Sequence, residues 1–129
     1  MTPDALARLA AAKPGAWVDE PWEGDQVVKV GPAERGKIFA FLGSTAVGLK
    51  CGAQREEADE WLARFPQDAS VMAYIGRFGW NSLTLAGAIP DDELADALGR
   101  SYELVVAGLP KRLRPAGWDL PAPDNEARA

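Results

Sequence analysis

Histidine is absent from this 129-residue chain, and cysteine occurs once, as Cys51. Without histidine the commonest general base at neutral pH is missing, together with the usual partner of a Ser or Cys nucleophile and the commonest transition-metal ligand. A single cysteine leaves no disulfide framework. No apolar run approaches the roughly 20 residues that a bilayer span needs. The opening Met1-Thr2-Pro3-Asp4 leads into alternating Ala, Leu and Arg, with no apolar signal-peptide core. Nucleotide, redox and hydrolase signatures of the GxxxxGK[ST], GxGxxG, CxxC and GxSxG types do not occur. Basic residues are also scarce, 14 against 19 acidic, for a net charge of -5 and a pI near 4.7. Generic phosphate-backbone binders are usually basic, because released counterions supply most of their affinity. These absences predict a cytoplasmic, membrane-free, non-enzymatic protein with no metal or cofactor. They leave room for a local basic patch.

What is present suits one folded domain. Apolar residues make up 47% of the chain, and a chain of this size buries roughly two-thirds of its unfolded surface. Thr2-Pro3-Asp4 reads as a helix start, with Thr as N-cap, Pro in the first turn and an acid facing the dipole. Leu6, Leu9 and Ala10 give its apolar stripe, and Pro14-Gly15 ends it. Trp17 and Trp22 follow in an extended acidic segment, where core anchoring is expected. Three short apolar runs, Gln26 to Val30, Lys37 to Leu42 and Val47 to Cys51, read as antiparallel strands, because their connections are too short for parallel crossovers. A helix is expected from Gln54 to Phe65, an irregular stretch after Pro66, and a strand over Trp80 to Ala86. The last helix starts near Pro90 and runs to about Gly108, with Leu94, Leu98, Ser101, Val105 and Leu109 in one stripe. A single domain over residues 1–114 and a loosely held Pro/Ala-rich tail over 115–129 are expected.

In order, Pro14-Gly15-Ala16-Trp17 with Pro21-Trp22, Gly36-Lys37-Ile38-Phe39-Ala40 and Val47-Gly48-Leu49-Lys50-Cys51 lead into a Glu-rich helix. Trp80-Asn81-Ser82-Leu83, Ile89-Pro90-Asp91-Asp92-Glu93-Leu94 and Ser101-Tyr102-Glu103-Leu104-Val105-Val106 then follow. In this order and spacing the segments resemble the MmcQ/YjbR family over roughly residues 14–114. The resemblance implies a bacterial-type α+β domain, with an antiparallel sheet of about four to six strands and three helices packed mainly on one face. It also implies a pair of β-hairpin "wings" and the DNA-binding label attached to that double-wing shape, a fold-level analogy. It brings no catalytic residues. Where many relatives have basic or histidine residues before Trp80-Asn81, this chain has Gly76-Arg77-Phe78-Gly79, keeping only Arg77.

Strand parity carries the site expectation. Side chains alternate between sheet faces, so Val28, Val30, Ile38, Ala40, Leu42, Val47, Leu49, Cys51, Leu83 and Leu85 compose an apolar face. Lys29, Lys37, Lys50, Phe39, Phe41 and Trp80 fall on the other. Cations that track phosphates among rings that stack on bases suit nucleic acid; a wet sheet face with solvated lysines and cross-strand aromatic pairs is the alternative. Charge is segregated as well. Lys29, Arg35, Lys37, Lys50 and Arg55 face only Glu34 over residues 26–55, and Arg100, Lys111, Arg112 and Arg114 face only Glu103 over 100–114. Lys29, Lys37, Lys50, Arg77 and Trp80 are therefore the expected nucleic-acid contacts, with Lys111, Arg112 and Arg114 in electrostatic support.

Other constellations have plainer readings. Gly76-Arg77-Phe78-Gly79 has the GxxG form of a backbone clamp but reads as a tight turn. Cys51 reads as a buried structural thiol, and Asp92 with Asp96 as solvated helix acids. The expected partners are DNA, held weakly and salt-sensitively, or alternatively a protein or small ligand with no nucleic-acid role. A monomer or weak dimer is expected.

Overall fold

A computed structural model describes residues 1–120. Part of the expected tail, residues 121–129, lies outside the described residues. Three helices, α1 (Pro3–Ala11), α2 (Arg55–Arg64) and α3 (Asp91–Ala107), accompany six strands. The strands are β1 (Ala16–Trp22), β2 (Asp25–Val30), β3 (Lys37–Leu42), β4 (Ala46–Lys50), β5 (Ala69–Val71) and β6 (Trp80–Thr84). They form one antiparallel sheet in the order β1-β2-β3-β4-β6-β5. The α+β class and the antiparallel sheet with three helices match the expectation. None of the described helices is long and apolar enough to cross a membrane.

Local chemistry explains the helix ends. Thr2 accepts a hydrogen bond from the Ala5 amide at 3.1 Å, capping α1. Asp91, Asp92 and Glu93 occupy the first turn of α3, where acids complement the helix dipole. α3 lies across β3 and β4, α1 touches β1, β2 and β3, and α2 packs on β5 and β6. The shared core joins Leu6 and Ala10 of α1 to Leu94, Leu98, Tyr102 and Val106 of α3, over Val28, Val30, Val47, Leu49 and Leu83 of the sheet.

The expected parity fails at one point. Val28 pairs with Ala40 but Lys29 pairs with Ile38, so β3 carries an extra residue, Phe39, in a bulge. The bulge turns Phe39 inward, where it is fully buried and meets the Tyr102 ring edge-on at 5.2 Å. Ile38 moves to the outer face beside Lys29, and Lys37 comes level with Val30 at the end of the strand. Phe39 and Lys37 therefore leave the expected outer face, and Ile38 joins it.

Two further expectations are corrected. Ala16–Trp22 is an edge strand, and Trp22, expected as a core anchor, is 58% exposed. The stretch after Pro66 contains β5, a three-residue strand on the far edge. Trp118, in the segment expected as a tail, packs partly against the core.

Candidate functional site

Pairing registers fix which end of the molecule each charged residue occupies. Val30 of β2, Lys37 of β3, Lys50 of β4 and Trp80 of β6 all stand at one end of the sheet. Trp22, Asp25, Leu42, Ala46 and Thr84 stand at the other. The helices add to the same two poles. The C-terminal end of α3 reaches the first pole: a Cβ on Gly31 would lie 3.4 Å from the Leu109 side chain. Pro115 lies against Gly15, and the Tyr102 hydroxyl donates to the Pro14 carbonyl at 2.6 Å. Residues 13–15, 31–37 and 109–115 therefore converge, bringing Arg35, Lys37, Lys111, Arg112 and Arg114 to one end, while Lys13 turns its ammonium back along α3 towards Gly99.

The opposite pole is acidic. A cavity there is lined by Pro3, Asp4 and Ala7 of α1, Glu20, Gly24 and Gln26 of the first hairpin, and Leu42, Gly43 and Ser44. The N-terminal ammonium of Met1, hydrogen-bonded to the Leu85 carbonyl and paired with Asp91, brings the acid-rich start of α3 to that end. Charge that was segregated along the chain is thus also segregated in space. One qualification belongs to α2, whose first turn brings Glu56 and Glu57 to the β6 side of the basic end.

The eight expected site residues share the basic end but have different occupations. Lys29 pairs with Asp19 at 2.8 Å and stands over the Trp17 ring; the Lys29 ammonium holds the Asp19 carboxyl below its usual range. Lys50 donates to the Phe78 carbonyl, and burial lowers its pKa. Arg114 donates to the carbonyls of Leu109 and Ala107. Trp80, expected as a stacking contact, is buried to 9% exposure with its ring edge-to-face on Phe41. It lies on the outer face as expected, but the hydrophobic effect has closed that part of the face. Lys37, Arg77, Lys111 and Arg112 are exposed and, among the described residues, form no salt bridge. Arg35 and Lys13 likewise form no salt bridge among the described residues.

The β2–β3 connection that presents Arg35 and Lys37 is fastened from below. The Trp17 indole donates to the Gly31 carbonyl at 2.8 Å, and the Arg35 amide closes a turn onto the Pro32 carbonyl at 2.9 Å. A Cβ on Gly36 would sit 3.2 Å from the Trp17 ring, so the turn packs closely against that indole.

Sequence reasoning missed the polar pins of this end. The Arg55 guanidinium donates to the carbonyls of Gly76 and Trp80 and to the Asn81 side chain. Asn81, wholly buried, in turn donates to the Ala58 carbonyl at 2.9 Å. A signal existed: Leu83 and Leu85 point inward, so period two places Asn81 inward too, and an inward polar residue on a strand needs a partner. Cys51 lies nearby, and burial pushes its thiol up to about 12, the state of an inert structural cysteine. Among the described residues no three His, Cys, Asp or Glu side chains form a group that could hold a metal ion.

A family model, YjbR, matches residues 11–104. The chain belongs to the YjbR family. Its fold is similar to the crystal structure of a Deinococcus radiodurans protein with a DUF419 domain, at TM-score 0.76 and 25% identity, over 88% of this chain and 85% of that one. A crystal structure of a Pseudomonas syringae protein shares the fold at TM-score 0.58 and 17% identity, over 81% of this chain and 99% of the other. No curated protein matches. The Asn81, Ser101 and Tyr102 positions in the family-like segments hold the architecture together in this chain. Asn81 pins α2 to β6, Ser101 bridges β3 and β4, and Tyr102 ties α3 to Pro14.

Proposed function

We propose that this YjbR-family chain is a non-enzymatic cytoplasmic binding protein that holds nucleic acid, DNA in the first place, by its phosphate backbone against the basic pole. The observation that carries this reading is the convergence of Arg35, Lys37, Lys111 and Arg112 from two separate segments with no carboxylate partner among the described residues. Unpaired cations attract a condensed counterion atmosphere, and displacing it is what drives backbone binding. Lys29, Lys50 and Arg114 already have protein partners, so they shape the potential and support the turn rather than touch phosphate. The acidic pole orients the molecule, because a polyanion is repelled from one end and drawn to the other.

Fluorescence anisotropy with labelled DNA at low salt, followed by a salt titration, tests the reading. Binding in the micromolar range, with log K falling by about 0.9 per log unit of salt for each phosphate neutralised, is the expected result. No binding at tens of micromolar protein would remove it.

A second reading draws on Trp22, 58% exposed beside Glu20, Glu23 and Asp25 on the first hairpin. An exposed tryptophan is a common interface anchor, and a basic protein surface would complement the acids around it. A partner retained by the wild type and lost by Trp22→Ala, with no nucleic acid present, favours that reading.

A further inference from the structure

Between β5 and β6 the chain leaves large apolar side chains in water. Tyr74 is 94% exposed and Phe78 51%. Tyr74 also has a φ of +66°, a left-handed conformation that bulky residues rarely adopt. It is the central residue of a tight turn closed by the Ile75 amide on the Ala73 carbonyl at 2.7 Å. Backbone strain persists where surrounding structure over-determines it, and this loop is held at several points. Arg55 donates to the Gly76 carbonyl, Lys50 to the Phe78 carbonyl, and the Gly79 amide to the Gly76 carbonyl. The Arg77 guanidinium lies 4.7 Å from the Phe78 ring centre.

We infer that Tyr74 and Phe78 form a stacking platform for unpaired bases, so that the nucleic acid held by this protein is single-stranded. The inference rests on the basic-pole reading and deepens it. Arg77, exposed and without a salt bridge among the described residues, stands against the Phe78 ring, and Lys50 ties the loop to the basic end of β4, so a free cation accompanies the rings. A duplex hides its base faces within its own stack. An unpaired base offers a π face to any aromatic ring, with the phosphates left to the cations. A loop already fixed in place loses little freedom on binding.

Affinities of the full chain for labelled oligothymidine and for a duplex, at the same low salt, test this. The wild type should prefer the single strand. Tyr74→Ala and Phe78→Ala should each weaken single-strand binding about tenfold while duplex binding stays unchanged. Tyr74→Phe keeps the ring and should keep the affinity; Tyr74→Leu keeps apolar bulk without a π face and should lose it. Melting curves identify any variant that fails to fold, and the Phe/Leu pair at almost fully exposed Tyr74 decides in that case. If the ring variants leave single-strand affinity intact, or lower both forms equally, the platform is overturned and the basic pole stands. If neither form binds the wild type, both readings fall.

Discussion

The hydroxyl of Ser101 donates to the Phe39 carbonyl at 2.7 Å, joining α3 to the bulge in β3. The same oxygen accepts the Lys50 amide at 2.9 Å. Phe39 and Lys50 would be the next rung of the β3–β4 ladder, whose last pair is Ala40 with Leu49. The bulge withdraws that rung, and a helix side chain replaces it. The turned-in Phe39 ring, the Tyr102 edge and the Ser101 hydroxyl therefore depend on one another.

Ser101→Ala should cost about 1–3 kcal/mol, because the buried Phe39 carbonyl and the part-buried Lys50 amide both lose their partner. Urea unfolding measures this. A change within a few tenths of a kcal/mol would mean that the bulge is satisfied some other way.

Arg55 binds the loop that carries Arg77 and Phe78 to the start of β6 through three acceptors. Arg55→Met should destabilise the fold by about 2–3 kcal/mol, the scale of hydrogen bonds to a charged group. Hydrogen exchange should rise first at the Phe78 and Gly79 amides. Arg55→Lys should rescue little, since an ammonium lacks the planar fork.

Gly79 has a φ of +94°, and a Cβ there would stand 2.2 Å from the Gly52 carbonyl oxygen. Gly79→Ala should therefore destabilise by about 2 kcal/mol or more, while Gly24→Ala, strained but with open space around it, should cost less. Comparable thermal shifts for the two would refute the steric argument.

Glu57 accepts both Arg100 Nε and Nη2, at 3.1 and 3.0 Å. Arg100 holds the Glu57 carboxyl below its usual range. A carboxyl depressed in the folded state stabilises above its unfolded value, about 4.3, and that contribution is lost as pH falls through the folded value. Arg100→Met should raise the Glu57 pKa in an NMR titration and flatten stability against pH in this acid window. Since both side chains are substantially exposed, the effect should be small and should shrink with salt.

Much of the fold is legible in composition and period. The three helices follow from Thr2, Pro66 and the Asp91-Asp92-Glu93 turn, and the four central strands from their apolar runs. Two failures have definite causes. Ile38–Leu42 is an unbroken apolar run with no polar residue to mark a face, so it gives no sign of a bulge, which is decided by what packs on it, here Tyr102 and Ser101. β5 has three residues, too few to show any period. The candidate site was legible as charge along the chain but misplaced in space. Parity concerns the faces of a sheet, whereas Lys37, Lys111 and Arg112 meet at its end, where strand register and the docking of Leu109 on Gly31 set position. Trp80 shows the converse: its face was right, but the Phe41 ring that packs on it could not be placed there from period alone.

The basic pole as the binding surface is the central claim, and one comparison tests it most directly. Salt-dependent affinity for labelled oligothymidine should be measured for the wild type, for the triple variant Lys37→Glu, Lys111→Glu and Arg112→Glu, and for a control with Glu23→Lys and Asp25→Lys at the opposite pole. The account predicts that the triple variant loses affinity at least a hundredfold at low salt and that its salt slope falls by about 3. The control should keep the wild-type slope. A triple variant that binds like the wild type, or a control that changes as much, would contradict it.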